Sequence, residues 1–167
     1  CVAINTQGEI FVGTLDANSD SNGVYRSSDI GQSWKKILSL GTFGVISLEI
    51  NDGGTIYAGT NAIDAVFKSS DNGETWSALP NLAPLNVMCI NTQGNDTVWI
   101  SQFADQGALL LQTTNNGETW DTVFATYNHV SESVRDIEIA PDDGIYIGLV
   151  GYFAGQGGIY KSADQGA

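Results

Sequence analysis

The chain repeats itself, and that repetition restricts its fold more than any other feature. Four stretches match one another: Ser27-Ser-Asp-Ile-Gly-Gln-Ser-Trp34, Ser69-Ser-Asp-Asn-Gly-Glu-Thr-Trp76, Thr113-Thr-Asn-Asn-Gly-Glu-Thr-Trp120 and the shorter Ser162-Ala-Asp-Gln-Gly-Ala167. Their third residues, Asp29, Asp71, Asn115 and Asp164, are spaced by 42, 44 and 49 positions. Ahead of each lies a short run: Gly23-Val-Tyr-Arg26, Ala65-Val-Phe-Lys68, Leu109-Leu-Leu-Gln112 or Gly158-Ile-Tyr-Lys161. Further upstream stand Glu9-Ile-Phe-Val-Gly13, Thr55-Ile-Tyr-Ala-Gly59, Thr97-Val-Trp-Ile-Ser101 and Gly144-Ile-Tyr-Ile-Gly148. Before these come alternating runs from Val2 to Asn5, Val45 to Asn51, Val87 to Asn91 and Val134 to Ala140.

Each unit therefore reads as four short strands, A to D, with strand D starting at the Trp of the repeated box. Alternation such as Val134, Asp136, Glu138 against Ile137, Ile139 puts one face in a core and leaves the other more polar. No segment sustains apolar recurrence at three and four residues, which excludes a helical repeat. A period of about 40–45 residues with four strands per unit predicts an all-β β-propeller of four-stranded antiparallel blades. The blades are expected at about 1–40, 44–82, 85–126 and 132–167, the last incomplete.

The box has a physical reading of its own. Asp29, Asp71, Asn115 and Asp164 sit where a side-chain oxygen accepts hydrogen bonds from backbone N–H groups just ahead and closes a tight loop. Ser27, Ser69, Thr113 and Ser162 open the box, and Gly31, Gly73, Gly117 and Gly166 suit a position with positive φ. Trp34, Trp76 and Trp120 offer large apolar bodies to bury between neighbouring sheets, each with one N–H that needs a partner. Asn115 keeps the acceptor but drops the charge, which suits a turn better than an acid catalyst.

This pattern resembles the Asp-box of the bacterial-neuraminidase-type repeat family, whose members include sialidases, sortilin-type receptors, xyloglucan-hydrolysing propellers, a photosystem assembly factor and secreted bacterial surface proteins. The resemblance covers nearly the whole chain and implies that the box is structural. It also implies a bacterial protein that is secreted or at the cell surface, the export signal lying outside this chain. A sialidase of that family uses three arginines and a Tyr–Glu nucleophile pair, whereas this chain has only Arg26 and Arg135, so it is not a sialidase. Arg26 moreover takes the place of Lys68 and Lys161 in sister units. The photosystem role implies a basic patch that this sequence lacks.

Charge narrows the partners. With 6 basic and 19 acidic side chains the net charge is −13, which argues against binding DNA, RNA or anionic lipid. No run of 18 apolar residues occurs, so no membrane insertion is expected. The two cysteines, Cys1 and Cys89, are expected as free thiols, buried or half-buried.

In an up-and-down meander the A–B and C–D turns share one end. The B–C loops (about 14–23, 60–65, 102–108, 149–158) and D–A loops (about 38–44, 79–86, 124–133) share the other. The boxes occupy C–D turns, and the loops that differ between units lie opposite, which is where function is expected. Asp16, Asn18, Asp20 and Asn22 place oxygen-bearing side chains at alternate positions, as a calcium loop does. That loop lacks an EF-hand's Gly at the sixth place and Glu at the twelfth, so it reads first as a plain polar loop. No other cofactor is expected. Phe103, Tyr152 and Phe153 are loop aromatics that either pack on their own blades or stack a sugar or grip a peptide. Asp64 and Asp105, with Asp16 and Asp20, are the acids available for glycoside hydrolysis, which needs two carboxyls across the scissile bond. His129, the one histidine, has no nucleophile motif near it and reads as a loop residue.

The fourth unit stops before its Trp, and closure of a ring would need its strand D, so the chain is expected to join remaining blades in a larger propeller. The leading functional expectation is a non-enzymatic extracellular binding or scaffold propeller that engages protein or carbohydrate through the B–C and D–A face. The alternatives are a xyloglucanase-like glycoside hydrolase with part of its catalytic set elsewhere, and a sortilin-like peptide-binding receptor domain.

Overall fold

The alternating runs become strands because each can bury one row of side chains against a neighbouring sheet. The computed structural model describes residues 1–17, 20–62, 64–104, 107–126, 132–151 and 157–162. Sheet I contains β1 (Val2–Ile4), β2 (Ile10–Thr14), β3 (Gly23–Ser27) and β4 (Lys35–Ser39). Sheet II contains β5 (Val45–Ile50), β6 (Ile56–Thr60), β7 (Val66–Ser69) and β8 (Ser77–Ala78). Sheet III contains β9 (Asn86–Gln93), β10 (Thr97–Ala104), β11 (Gly107–Thr113) and β12 (Asp121–Ala125). Sheet IV contains β13 (Glu132–Ile139), β14 (Ile145–Gly151) and β15 (Gly157–Ser162).

Every sheet is an antiparallel meander in sequence order, as propeller blades are, and the described residues include no helix. The expected fold class stands: this is a β-propeller arrangement. Three separate apolar cores hold the sheets in series. Phe11, Val24, Val45, Leu48 and Ile56 join sheets I and II. Tyr57, Val66, Val87, Ile90 and Val98 join II and III, and Trp99, Leu110, Val134, Ile137 and Leu149 join III and IV. Because β6 is covered on both sides it is buried at all five positions, whereas β1 and β15 are largely exposed.

The first strands of successive sheets pack against one another and line the inner side of the array. Their spacing is set by a small residue in the second strand. A Cβ on Gly13 would fall 2.6 Å from Val45 Cγ1, and one on Gly59 would fall 2.6 Å from Val87 Cγ1. At the third junction Ser101 takes this place and its hydroxyl donates to the Val134 carbonyl at 2.7 Å. Beside each of these contacts the first strand bulges, adding Ile46, Met88 or Arg135 to the ladder. A second set of close contacts lies near the boxes, where Gly73 sits on Ile37 and Gly117 on Leu79.

Four expectations need correction. Phe103 is not in a loop: β10 runs on to Ala104, and Phe103 pairs with Ala108 and Asn86. Gln102, which the expected 102–108 loop included, is a buried strand residue whose Nε2 donates to the Ala83 carbonyl at 3.0 Å. Trp34 is not buried between sheets. Trp76 packs into the core of sheets I and II and Trp120 into that of II and III, so each is covered by the preceding sheet; Trp34 belongs to sheet I and is 44% exposed. The fourth strands begin one residue after the box Trp, at Lys35, Ser77 and Asp121. Cys89 is buried as expected, but Cys1 is exposed.

The box turn places two consecutive residues at positive φ: Ile30 and Gly31, Asn72 and Gly73, Asn116 and Gly117. Asparagine tolerates this region, and a β-branched side chain does not. Ile30 is 85% exposed, so its side chain gains almost nothing from packing in return. Ile30→Asn is expected to stabilise the protein by about 1 kcal/mol and raise the thermal midpoint by about 2–4 °C. A lowered midpoint would contradict this reading of the turn.

Candidate functional site

The two ends of the array differ in what holds them. At the box end, each of the three described box loops is closed by the same side-chain constellation. Asp29 accepts from Ser27 Oγ at 2.7 Å and from the Ser33 N–H at 2.9 Å, while Gly31 N donates to Ser27 Oγ at 2.8 Å. Asp71 does the same with Ser69 and Thr75, and Gly73 N reaches Ser69 Oγ at 2.9 Å. Asn115 repeats the pattern with Thr113 and the Thr119 N–H, its amide donating to Thr119 Oγ1 at 2.8 Å. The hydroxyl and N–H of Ser33, then the Ser27 hydroxyl, hold the Asp29 carboxyl down at about 2. Thr75 and Ser69 hold Asp71 equally low, also at about 2. These carboxylates spend their acceptor capacity on their own loops, which leaves them poor proton donors.

At the opposite end, the variable loops are braced by buried polar side chains. Asn22 is fully buried; its Oδ1 accepts from Asp16 N at 2.7 Å and its Nδ2 donates to the Asp16 carbonyl at 2.7 Å and the Thr42 carbonyl at 3.3 Å. Asn61 Oδ1 accepts from Gly44 N at 2.6 Å, and buried Thr60 accepts from Ala62 N. Gln102 ties β10 to the 79–86 connection through Ala83. Asn22, one of the oxygens expected for calcium, is thus turned inward as a brace, while Asp16 and Asp20 are exposed. Among the described residues no three of His, Cys, Asp and Glu converge as metal ligands. Asp64 is exposed. Asn18, Asp105, His129, Tyr152, Phe153, Asp164 and Gly166 lie outside the described residues.

A third feature escaped the sequence reading. On the inner side at the box end, the A–B turns of sheets II to IV surround a polar concavity of about 580 Å³, lined by Glu49, Asp52, Asn91, Gln93, Glu138 and Asp143 among others. The turns are stapled in series: Asn51 Nδ2 donates to the Asn95 carbonyl at 2.6 Å, and Gln93 Nε2 to Asp143 Oδ1 at 2.7 Å. Burial, with the neighbouring Glu138 carboxylate second, raises the Glu49 carboxyl above its ordinary value. The signal for this site was the polar half of the alternation in strand A, since in a propeller the first strands line the inner side. Cys89 is chemically quiet: burial pushes its thiol up to about 11 despite a hydrogen bond with Ser101.

Comparisons with solved structures support the fold. A GH74 xyloglucanase from Xanthomonas campestris superposes with a TM-score of 0.71 over 99% of this chain, at 15% identity. YCF48 bound to a D1 peptide gives 0.60 over 95% of the chain at 15% identity. The extracellular domain assigned to a one-component system of B. thetaiotaomicron gives 0.69 over 97% at 16% identity. The chain spans 28%, 52% and 21% of the lengths of these three structures. No family model matches the chain, and no curated protein matches it in sequence. Among the described residues no helix is long and apolar enough to cross a membrane.

The depressed box carboxylates tie stability to acid. A carboxyl whose folded value lies below its unfolded one, about 3.9 for Asp, stabilises fully above the unfolded value and ceases to as pH falls through the folded value. For Asp29 and Asp71 that loss is expected between about pH 4 and pH 2. Asp29→Asn with Asp71→Asn, imitating Asn115, is expected to keep the fold at neutral pH and flatten the acid limb of the thermal midpoint. An unchanged acid limb would contradict it.

Proposed function

We propose that this chain is part of a non-enzymatic binding propeller of the Asp-box type, with units 1–40, 44–82, 85–126 and 132–167 as blades of a larger ring. Its partner is a protein or a glycan, engaged by the B–C and D–A loops, and its setting is secreted or at the cell surface. The observation that carries this reading is the buried bracing of those loops by Asn22, Thr60 and Gln102. Burying a polar side chain costs free energy unless it is bonded, and these three bond to loop backbone rather than extend the core. Loops held in this way bind with little ordering cost. The fold likeness is in keeping with such a role, since the solved propellers it matches include a peptide-bound protein and an extracellular domain.

A second reading rests on Glu49 and Glu138, two neighbouring carboxyls in a polar concavity, one of them with a raised proton affinity. That is the chemical makeup of a glycoside hydrolase site, with Glu49 as acid and Glu138 as base or nucleophile.

Binding to panels of immobilised polysaccharides and peptides, run beside assays for reducing-end release on the same polysaccharides, separates the two. The binding reading expects a ligand whose affinity falls about tenfold in Asn22→Ala, which unties the 14–23 loop, and no sugar release. Hydrolysis of any polysaccharide that disappears in Glu49→Gln, Asp64→Asn or Asp105→Asn would overturn it.

A further inference from the structure

Adjacent box loops form grooves between successive sheets, and the first two grooves are filled differently. In the groove between sheets I and II, Glu74 is held by two cations of the chain itself. Arg26 Nη2 lies 2.9 Å from one carboxylate oxygen and Lys35 Nζ 3.3 Å from the other. Arg26 also donates to the Asn72 carbonyl at 2.6 Å and lies 3.9 Å from Glu9. Two carboxylates thus meet two cations.

The groove between sheets II and III repeats this framework with one cation missing. Glu118 occupies the box position of Glu74, and Lys68 that of Arg26, but Ser77 stands where Lys35 would be. Lys68 Nζ donates to the Asn116 carbonyl at 3.2 Å, and no ion pair to Glu118 forms among the described residues. Asp96 lies beside this turn, its backbone carbonyl accepting from Asn116 N at 2.9 Å. Its field reaches the Tyr57 hydroxyl, which bonds to Asn116 Oδ1 and is pushed up to about 12, chiefly by burial and then by Asp96. Where Arg26 and Lys35 hold Glu74 in the first groove, the second is a cleft of about 350 Å³ lined by Lys68, Trp76, Ser77, Leu79, Pro80 and Glu118 among others.

We propose that this cleft is a docking site for a lysine side chain of a partner protein. The ammonium takes the position that Lys35 fills in the first groove and pairs with Glu118. The methylene stem lies along Pro80, Leu79 and the half-buried Trp76, as long cationic side chains do on apolar surface. The chain's net charge of −13 favours approach of a cation over an anion. The site lies among the box loops, away from the loop face, and does not depend on that face being functional.

The test is an NMR titration of the protein with the capped pentapeptide Gly-Ser-Lys-Ser-Gly and with its norleucine counterpart. Saturable shifts are expected at the Glu118 and Asn116 amides and the Trp76 indole N–H with the lysine peptide alone, weakening as salt is raised. Glu118→Gln is expected to weaken binding by about three- to fivefold. Ser77→Lys, which restores the cation of the first groove, is expected to block it. Equal shifts with the norleucine peptide, no shifts with the lysine peptide, or undiminished binding in Ser77→Lys would each overturn the proposal.

Discussion

The distance at which one sheet meets the next governs this molecule. Gly13 and Gly59 lie so close to Val45 and Val87 that a single added methyl would overlap the valine. Sheets that approach this closely give each junction a dense apolar core. The third junction reaches the same closeness by a different device, a Ser101 hydroxyl bonded to the Val134 backbone. Because no sheet buries its faces alone, each depends on its neighbour, and stability accrues junction by junction as in other repeat architectures.

Function is distributed according to that constraint. The close junctions fix the first strands, and the boxes tie the third strands to the fourth. The box acids are consumed in closing their own turns, and the uncharged Asn115 closes its turn as Asp29 and Asp71 do. The loop end uses its buried polar groups to brace connections that differ from unit to unit. What the scaffold leaves unspent is chemically informative: the inner carboxyls Glu49 and Glu138, and the Glu118 carboxylate in an otherwise conserved framework of the chain's own repeats.

Most of the fold was legible in the sequence because the repeat exposes the strand period four times over. What escaped it depended on contacts between units. Gln102 looks like a loop residue by polarity, yet it is a buried strand position whose amide N–H donates to the Ala83 carbonyl across a connection. Trp34 holds the same box position as Trp76 and Trp120, yet no described sheet covers it. The concavity around Glu49 and Glu138 arises from three A–B turns that are distant in sequence, and the cleft at Glu118 becomes visible only beside its ion-paired counterpart at Glu74.

The most direct test of the close-junction account is a double-mutant cycle on Gly59 and Val87, followed by urea unfolding. Gly59→Ala alone is expected to cost about 1–3 kcal/mol through overpacking. Val87→Ala alone leaves a cavity and costs about 2 kcal/mol. Together they are expected to cost less than the sum by about 1 kcal/mol or more, since the new methyl occupies space the valine vacates. Additive costs, or a Gly59→Ala variant as stable as the parent, would contradict it.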